Sequence, residues 1–256
     1  MTITADTGLF RDTVIVLCSF TEPGGRSGIA CYSMTGDHLD STEVTVVIPC
    51  RNEAEALPTV LASIPAGYRT VVVDNGSTDA TADVARGRGA TVVAEDRPGY
   101  GAAVQAGIGA ARTELVAVLD GDGSMDPAEL PALVELVRGG ADLAVGRRRP
   151  NRPGVWPWHA RLGNRLVARR LRRHYGLPVH DIGAMRVASR GRLQALGPLH
   201  DRFGYPLELL VAAARAGWVV TERDITYRPR AGGTSKVSGS WRGSLRATRD
   251  FLAVLR

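Results

Sequence analysis

Two aspartates lie one residue apart at the end of a predicted buried strand. In LVAVLDGDGSMDPAEL (115–130), an apolar run leads directly into Asp120 and Asp122. Two buried carboxylates so close together repel each other, and the arrangement is costly unless a positive charge lies between them. Carboxylate oxygens beside a glycine-containing turn suit a hard divalent cation, which would in turn bind phosphates. Asp126 precedes Pro127 and is typical of a helix N-cap, so we separate it from this pair.

The elements that must position these acids alternate regularly from residue 44 onward. Short Val-rich runs predict strands at 44–49, 70–75, 90–95, 115–120 and 141–146. Continuous apolar strands separated by helices predict an α/β fold with a mainly parallel sheet, covered by helices on both faces. Ligands of such sheets bind beyond the carboxyl ends of the strands. We therefore expect Glu53 and Asp74 to lie near Asp120 and Asp122 in one cleft.

Helix boundaries follow from capping residues and glycines. Asn52 and Thr78 are predicted N-caps of the first two helices, and GYGAAVQAGIGAA (99–111) predicts a closely packed third. The second half is less regular. Its predicted elements are a basic helix at 159–176, an apolar helix at 203–218, a strand pair or one long strand at 218–229, a loop at 231–240 and a terminal amphipathic helix.

Composition narrows the class of protein without naming a ligand. The chain has 256 residues and a formal net charge of +6, which favours anionic partners. Its three cysteines fit no zinc spacing, and no apolar run reaches the roughly 18 residues of a membrane span. These features predict a cytoplasmic protein. The glycines around Gly101 lack the spacing of a dinucleotide fingerprint, which argues against a nicotinamide or flavin enzyme.

The first 42 residues differ from the rest of the chain. TEPGGRSGIACYSMTGDHLDST (21–42) has no usable periodicity, so we expect a poorly ordered leader before a single domain at 43–256. A natural start at Met34 is an alternative. A peptide from residues 1–33 in the native protein, detected by mass spectrometry, would exclude that start.

Four motifs occur in the order typical of one enzyme family. VVIPCRNE (46–53), VVVDNGSTDAT (71–81), RPGYGAAVQAGI (97–108) and LDGDGS (119–124) resemble those of family 2 glycosyltransferases with the GT-A fold, a Rossmann-like architecture. GRRR (146–149), DIGAMR (181–186), GYPLEL (204–209) and YRPRAGGTSK (227–236) resemble, more loosely, the branch that transfers sugars to dolichol phosphate or other polyprenyl phosphates. The resemblance implies a nucleotide-sugar half (43–146), an acceptor half (147–256) and inversion at the anomeric carbon.

The resemblance also implies residue roles. Asp120 and Asp122 form the D-x-D motif, which with Ser124 would hold Mg²⁺ or Mn²⁺ on the diphosphate of a UDP- or GDP-linked sugar. Arg51 stands where that branch usually has an aromatic residue, and a guanidinium can stack on a base. Nucleotide-sugar contacts fall on Pro49, Arg51, Glu53, Asp74, Asn75, Gly101, Asp120 and Gly121. Acceptor and phosphate contacts fall on Arg161, Arg186, Glu208, Arg228, Ser235 and Lys236, and catalytic roles on Asp122, Asp181 and Arg147.

The need for a general base depends on the acceptor. A phosphate acceptor is already an anion, whereas a hydroxyl on a small metabolite, natural product or glycan must lose its proton. Asp181 and Glu208 are the candidate bases for the second case. Each has a structural alternative, since Asp181 could pair with Arg186 or a loop amide and Glu208 could orient an arginine. A non-catalytic nucleotide-sugar binding module is the third hypothesis.

Ten arginines and no acidic residue occur between residues 147 and 173. On the predicted helix, Leu162, Leu166, Val167 and Leu171 form one apolar strip flanked by arginines. Such a helix can lie on the inner face of an anionic membrane, with Trp156 and Trp158 at the interface. The alternative is a solvated helix packed through its leucines. No nucleic-acid-binding module is recognisable, so we expect no nucleic-acid partner.

Overall fold

The computed structural model describes residues 44–232 in full and, before them, the backbone of three strands. Those strands, β1 (Ala5–Phe10), β2 (Thr13–Thr21) and β3 (Ser27–Met34), form an antiparallel sheet in the order β1-β2-β3. The sequence did not predict these strands, although the Val- and Ile-containing segment of β2 is typical of a strand. The chain divides into two compact units, Met1–Asp40 and Ser41–Arg256.

The second unit is a seven-stranded sheet flanked by helices. Its strands are β4 (Val44–Cys50), β5 (Arg69–Asp74), β6 (Thr91–Ala94), β7 (Leu115–Val118), β8 (Leu143–Pro150), β9 (Arg186–Ser189) and β10 (Val220–Tyr227). Its helices are α1 (Leu57–Ala62), α2 (Thr81–Gly87), α3 (Tyr100–Ala110), α4 (Leu130–Arg138), α5 (Trp158–Tyr175), α6 (Arg190–Ala195) and α7 (Tyr205–Arg215). No helix in the described part of the chain is long and apolar enough to cross a membrane.

The strand order is β10-β8-β9-β7-β4-β5-β6, and only β9 runs antiparallel to its neighbours. The mainly parallel α/β sheet predicted from the sequence is confirmed. Because β9 reverses direction between β7 and β8, the strands β8 and β10 run the same way as β4, β5 and β7. The carboxyl ends of all five strands therefore meet at one edge, where a ligand site is expected.

The core lies on both faces of this sheet because strand side chains alternate in direction. Val47, Val71 and Val73 pack on one face beneath α3, α5, α6 and α7. Val46 and Val72 pack on the other beneath α1, α2 and α4. This two-sided burial explains why the strands read as nearly continuous apolar runs.

Several predicted boundaries are wrong. The first two helices begin at Leu57 and Thr81 rather than after Asn52 and Thr78, and neither of those residues caps a helix. The fifth predicted strand extends to Pro150. Residues 220–227 form one strand, which agrees with one of the two alternatives predicted for 218–229. The short strand β9 was not predicted. Residues 233–240 of the predicted loop and the predicted terminal helix lie outside the described residues.

Helix α3 approaches β4 closely through glycine. A Cβ atom on Gly107 would lie 2.2 Å from Val47 Cγ1 and 3.0 Å from Val73 Cγ2, whereas one on Gly109 would meet no atom within 4 Å. We expect Gly107→Ala to lower the free energy of unfolding by about 1–3 kcal/mol through overpacking. Gly109→Ala should raise it by about 0.5–1 kcal/mol, because alanine favours a helix over glycine. Urea unfolding of both variants measures this contrast, and equal effects would contradict the packing argument.

Candidate active site

A cleft of about 1180 Å³ opens at the carboxyl edge of the sheet. Eight of the predicted site residues line it: Pro49, Arg51, Glu53, Asn75, Asp120, Asp122, Ser124 and Arg228. The opposite wall comes from the second half of the chain, and includes Arg148, Trp156 and residues of α5. The cleft exceeds the usual size of a site for one small ligand, so it has room for two substrates.

The loops after β4 and β5 form one wall by binding each other. The Asn52 amide donates to Ser77 Oγ (3.0 Å), and the Thr78 amide donates to Asn52 Oδ1 (2.7 Å). The Ala54 amide donates to Asp79 Oδ2 (3.2 Å). Asn52 adopts a positive φ of 56°, which asparagine tolerates better than most residues. Asn52 and Thr78 do not cap helices, because their polar groups form hydrogen bonds between the loop after β4 and the loop after β5.

Asn75 connects this wall to the start of α3. Its Nδ2 donates to the carbonyl oxygens of Glu95 (2.8 Å) and Arg97 (2.7 Å), and its Oδ1 accepts from the Gly99 amide (2.8 Å). Asp74 lies behind the wall, where Oδ1 accepts from the Ser77 amide (3.0 Å) and closes the turn. The structure therefore places Asn75 in the cleft and gives Asp74 a supporting position.

Asp120 and Asp122 follow β7 at the base of the cleft, where Asp122 is 3% exposed and Asp120 is half-buried. Burial raises the pKa of Asp120 to about 6, and the charge of Asp122 adds to that rise. The Tyr100 hydroxyl is hydrogen-bonded to Asp120, yet the Oδ1 atom of Asp120 is buried with no hydrogen-bond partner. A buried carboxylate oxygen left in this state fits a cation as its partner.

The second aspartate of the motif has its own partners. Asp122 Oδ1 accepts from the Ser124 amide (2.8 Å), and Asp122 Oδ2 lies 2.9 Å from the guanidinium of Arg230. Nowhere between residues 44 and 232 do three His, Cys, Asp or Glu side chains gather as a metal-binding group. Asp120, Asp122 and the Ser124 hydroxyl could hold a hard divalent cation only if a substrate supplied further oxygens. A diphosphate has that chemistry.

The segment after β10 returns across the aspartate loop. Its Arg228 amide donates to the Ser124 carbonyl (2.8 Å), and its Ala231 amide donates to the Asp122 carbonyl (2.9 Å). Arg228 also pairs with Asp126 Oδ2 at 2.7 Å. The predicted N-cap role of Asp126 is confirmed, since Asp126 Oδ1 accepts from the Ala128 amide at 3.1 Å. The aspartate has a second role that the sequence pattern did not indicate, because it orients an arginine of the cleft.

The arginine that lines the cleft from β8 is Arg148. Asp181 accepts three hydrogen bonds from it: from the backbone amide (2.8 Å), from Nε (2.8 Å) and from one terminal nitrogen (2.7 Å). The guanidinium also lies 4.2 Å from the Trp156 ring centroid and 5.5 Å from that of Tyr227. Burial alone would lower the pKa of Arg148, but the Asp181 carboxylate outweighs this effect and raises it.

Arg147, to which the resemblance assigned a catalytic role, is not among the residues that line the cleft. Consecutive strand residues point to opposite faces, and Arg147 pairs with Asp224, the residue opposite it on β10. Hydrogen bonds from Arg147 and Arg149 lower the pKa of Asp224 to about 2, although partial burial opposes them. The sequence could indicate that two adjacent strand arginines face opposite ways, but not which of them faces the ligand.

Other predicted site residues either are not among those that line the cleft or lie outside the described part of the chain. Gly101 and Gly121 are packing positions, since a Cβ would lie 1.9 Å from the His200 carbonyl oxygen and 2.7 Å from Cys50 Sγ, respectively. Arg161 is exposed on α5. Ser235 and Lys236 lie outside the described residues.

Three predicted site residues from the second half of the chain are buried or hydrogen-bonded within the fold. Arg186 is 4% exposed, donates to the carbonyl oxygens of Gly183 and Ile182, and has a pKa lowered by burial. Glu208 accepts from the His200 amide. Asp181, at 1% exposure, is held by Arg148 rather than by the predicted Arg186. None of the three lines the cleft.

Comparison with known proteins identifies the class. The Glycosyl transferase family 2 profile matches residues 45–197, and the chain belongs to this family. An uncharacterized glycosyltransferase of Mycobacterium bovis is 60% identical over 212 residues, which are 83% of this chain and 97% of the relative. The protein is therefore a glycosyltransferase with the GT-A fold.

More distant relatives carry substrate names. A dolichyl-phosphate hexose transferase of Haloferax volcanii is 34% identical over 75% of this chain and 86% of its own length. A dodecaprenyl-phosphate galacturonate synthase of Rhizobium johnstonii is 31% identical over 86% of this chain and 69% of its own length. Glucosyl-3-phosphoglycerate synthase of Mycobacterium tuberculosis, solved with Mn²⁺, UDP and glucosyl-3-phosphoglycerate, is 25% identical with a TM-score of 0.66, over 83% of this chain and 78% of the other.

Proposed function

We propose that this protein transfers a sugar from a nucleotide-sugar donor to a polyprenyl phosphate. The observation that carries the proposal is the Asp120–Asp122 pair at the base of a cleft that is large enough for two substrates, with Asp122 buried and the Oδ1 atom of Asp120 buried without a hydrogen-bond partner. The Mn²⁺ and UDP of the mycobacterial synthase support a metal-bound nucleotide as the donor. The names of the Haloferax and Rhizobium relatives support a lipid phosphate as the acceptor.

Each wall of the cleft has a role in this reaction. Pro49, Arg51, Glu53 and Asn75 would bind the nucleoside, and Asp120 and Asp122 would hold a divalent cation. Such an ion would supply positive charge to neutralise the departing nucleoside diphosphate. Arg148 and other arginines of the cleft bind phosphate oxygens of donor and acceptor, because a planar guanidinium suits bidentate phosphate contacts.

The partners of the two candidate bases favour an anionic acceptor. Asp181 accepts three hydrogen bonds from Arg148, and Glu208 accepts one from a backbone amide. Neither lines the cleft, so neither is well positioned to take a proton from a hydroxyl. A phosphate acceptor needs no base, because its oxygen is already a charged nucleophile.

A small phosphorylated metabolite is the second candidate acceptor. The solved mycobacterial synthase contains glucosyl-3-phosphoglycerate, and an arginine-lined cleft would also bind such an anion. The apolar part of the wall, which includes Val167, Ile182 and Phe203, favours the lipid instead. A metabolite of that kind would leave this surface without a partner.

Transfer of radiolabelled sugar separates the two acceptors. Purified protein is incubated with Mn²⁺, a panel of UDP- and GDP-linked sugars, and either a polyprenyl phosphate or phosphoglycerate. Label in the organic extract supports the proposal, and label confined to water-soluble product contradicts it. Asp122→Asn is the inactive control.

Arg230 is expected to compete with the cation for Asp122. Its guanidinium lies 2.9 Å from Asp122 Oδ2, so a cation on that oxygen meets a like charge nearby. We expect Arg230→Met to raise the affinity for Mn²⁺ without nucleotide by about five- to tenfold, since the charge is only partly screened by solvent. The electron paramagnetic resonance of free Mn²⁺ measures this affinity.

Arg228→Met is the matched control, because Arg228 also lines the cleft but pairs with Asp126. Its Mn²⁺ affinity should change less than about twofold, because its charge is already balanced by another carboxylate. An equal change in both variants, or none in Arg230→Met, would contradict the competition.

A further inference from the structure

Helix α5 has two apolar sides, and one of them faces outward. Ala168 and Leu171 are buried against the rest of the fold. Trp158, Leu162 and Leu166 recur every fourth residue, which places them in one row along the helix. They are 75%, 48% and 60% exposed, and we name them the outer row. The single apolar strip predicted from the sequence is thus divided between a packed side and an exposed one.

The helix around the outer row is strongly cationic. Six arginines lie within α5: Arg161, Arg165, Arg169, Arg170, Arg172 and Arg173. Arg170 continues the outer row by one further step of four, and no acidic residue occurs from position 147 to position 180. An exposed apolar row bordered by several arginines is complementary to an anionic lipid surface.

The outer row also borders the cleft. Leu166 belongs to the row and lines the cleft together with His159, Ala160, Gly163 and Val167 from the same helix. A surface touching the outer row would therefore lie beside the cleft opening. A lipid whose phosphate occupied the cleft could keep its apolar chain in that surface.

We propose that α5 docks this protein on an anionic membrane through the outer row and its arginines. The inference rests on the proposed function in one respect, since docking beside the cleft presents a lipid acceptor to it. A second copy of the chain fits this face poorly, because a two-fold interface would oppose arginines to arginines. A nucleic acid would bind the arginines but would leave the tryptophan and leucines without a partner.

Vesicle co-sedimentation of the full chain tests the docking. We expect binding to phosphatidylcholine vesicles that contain phosphatidylglycerol, and weak binding to phosphatidylcholine alone. The double variant Trp158→Glu/Leu162→Glu should bind the anionic vesicles about tenfold more weakly or worse, because it removes apolar contact and adds like charge. Val219→Glu is the matched control, since Val219 is 56% exposed and precedes β10 rather than belonging to α5, and it should bind as the unmodified protein does.

The outcomes separate docking from catalysis. Equal binding by the double variant and the control, with both shown to be folded by circular dichroism, would overturn the docking. Self-association that the double variant abolishes, without vesicle binding, would instead assign the face to a second copy. Sugar transfer to a polyprenyl phosphate dispersed in detergent should survive in the double variant. If the unmodified protein bound vesicles but transferred no sugar to the polyprenyl phosphate, the proposed function would be contradicted and the docking would not.

Discussion

Asp122→Asn should abolish metal-dependent donor binding and lower sugar transfer by roughly 10³-fold or more, comparable with the loss of a principal transition-state contact. The change removes one charge from the pair that would hold the cation and keeps the shape of the side chain. The protein should remain folded, because the lost ion pair with Arg230 is offset by less repulsion between Asp122 and Asp120. Asp122 contributes to the raised pKa of Asp120, so the asparagine should also lower that pKa.

Thermal shift with UDP- and GDP-linked sugars, with and without Mn²⁺, measures the lost donor binding, because a ligand of the native state raises apparent stability. Asp83→Asn is the control. It makes the same substitution at an exposed residue paired with Arg86 on the surface, and should leave the Mn²⁺-dependent shift unchanged. A donor-induced shift of normal size in Asp122→Asn would remove this residue from the metal site.

Much of the sheet could be predicted because each strand is recognisable from its own short segment of sequence. Val-rich strands buried on both faces are distinct from the helices between them, and the edge at which ligands bind follows from parallel strand direction. The position of Asp120 and Asp122 at the end of β7 therefore followed from LVAVLDGD alone. Their lack of a positive partner in the same segment was itself the indication that a ligand or a distant residue supplies one.

The starts of the first two helices were mispredicted because the same residue types cap helices and form hydrogen bonds between loops. The sequence does not distinguish these two roles. Asn52 and Thr78 are good N-cap types before helical segments. In the fold, each finds a partner in the neighbouring loop, 26 residues away along the chain. The local sequence pattern cannot reveal a hydrogen-bond partner that comes close only when β4 and β5 pair.

Arg230 and Tyr100 were not predicted as site residues, for a related reason. Arg230 reaches Asp122 only because β10 runs parallel to β7, so that its following segment returns across the aspartate loop. Tyr100 reaches Asp120 from the start of α3. The cleft is thus closed by contacts between the two halves of the fold, and its electrostatics depend on residues more than a hundred positions apart.

Arg148→Lys is the second change from which we expect a large effect. Lysine keeps the positive charge but cannot make the paired hydrogen bonds to Asp181 while stacking on Trp156. We expect kcat/KM to fall about 10²-fold, as for other lost phosphate-orienting contacts. The free energy of unfolding should fall by about 1–2 kcal/mol, since one charge-assisted bond to a buried carboxylate is lost.

Arg147→Lys is its matched control, one residue away on the same strand. The Arg147 side chain pairs with the half-exposed Asp224 outside the cleft, so kcat/KM should change less than twofold and stability by about 0.5 kcal/mol or less. Steady-state kinetics with a polyprenyl phosphate and urea unfolding measure both variants. If Arg147→Lys lowered activity more than Arg148→Lys, the substrates would have to face the side of β8 that carries Arg147. Phosphate binding would then have to be assigned to Arg147.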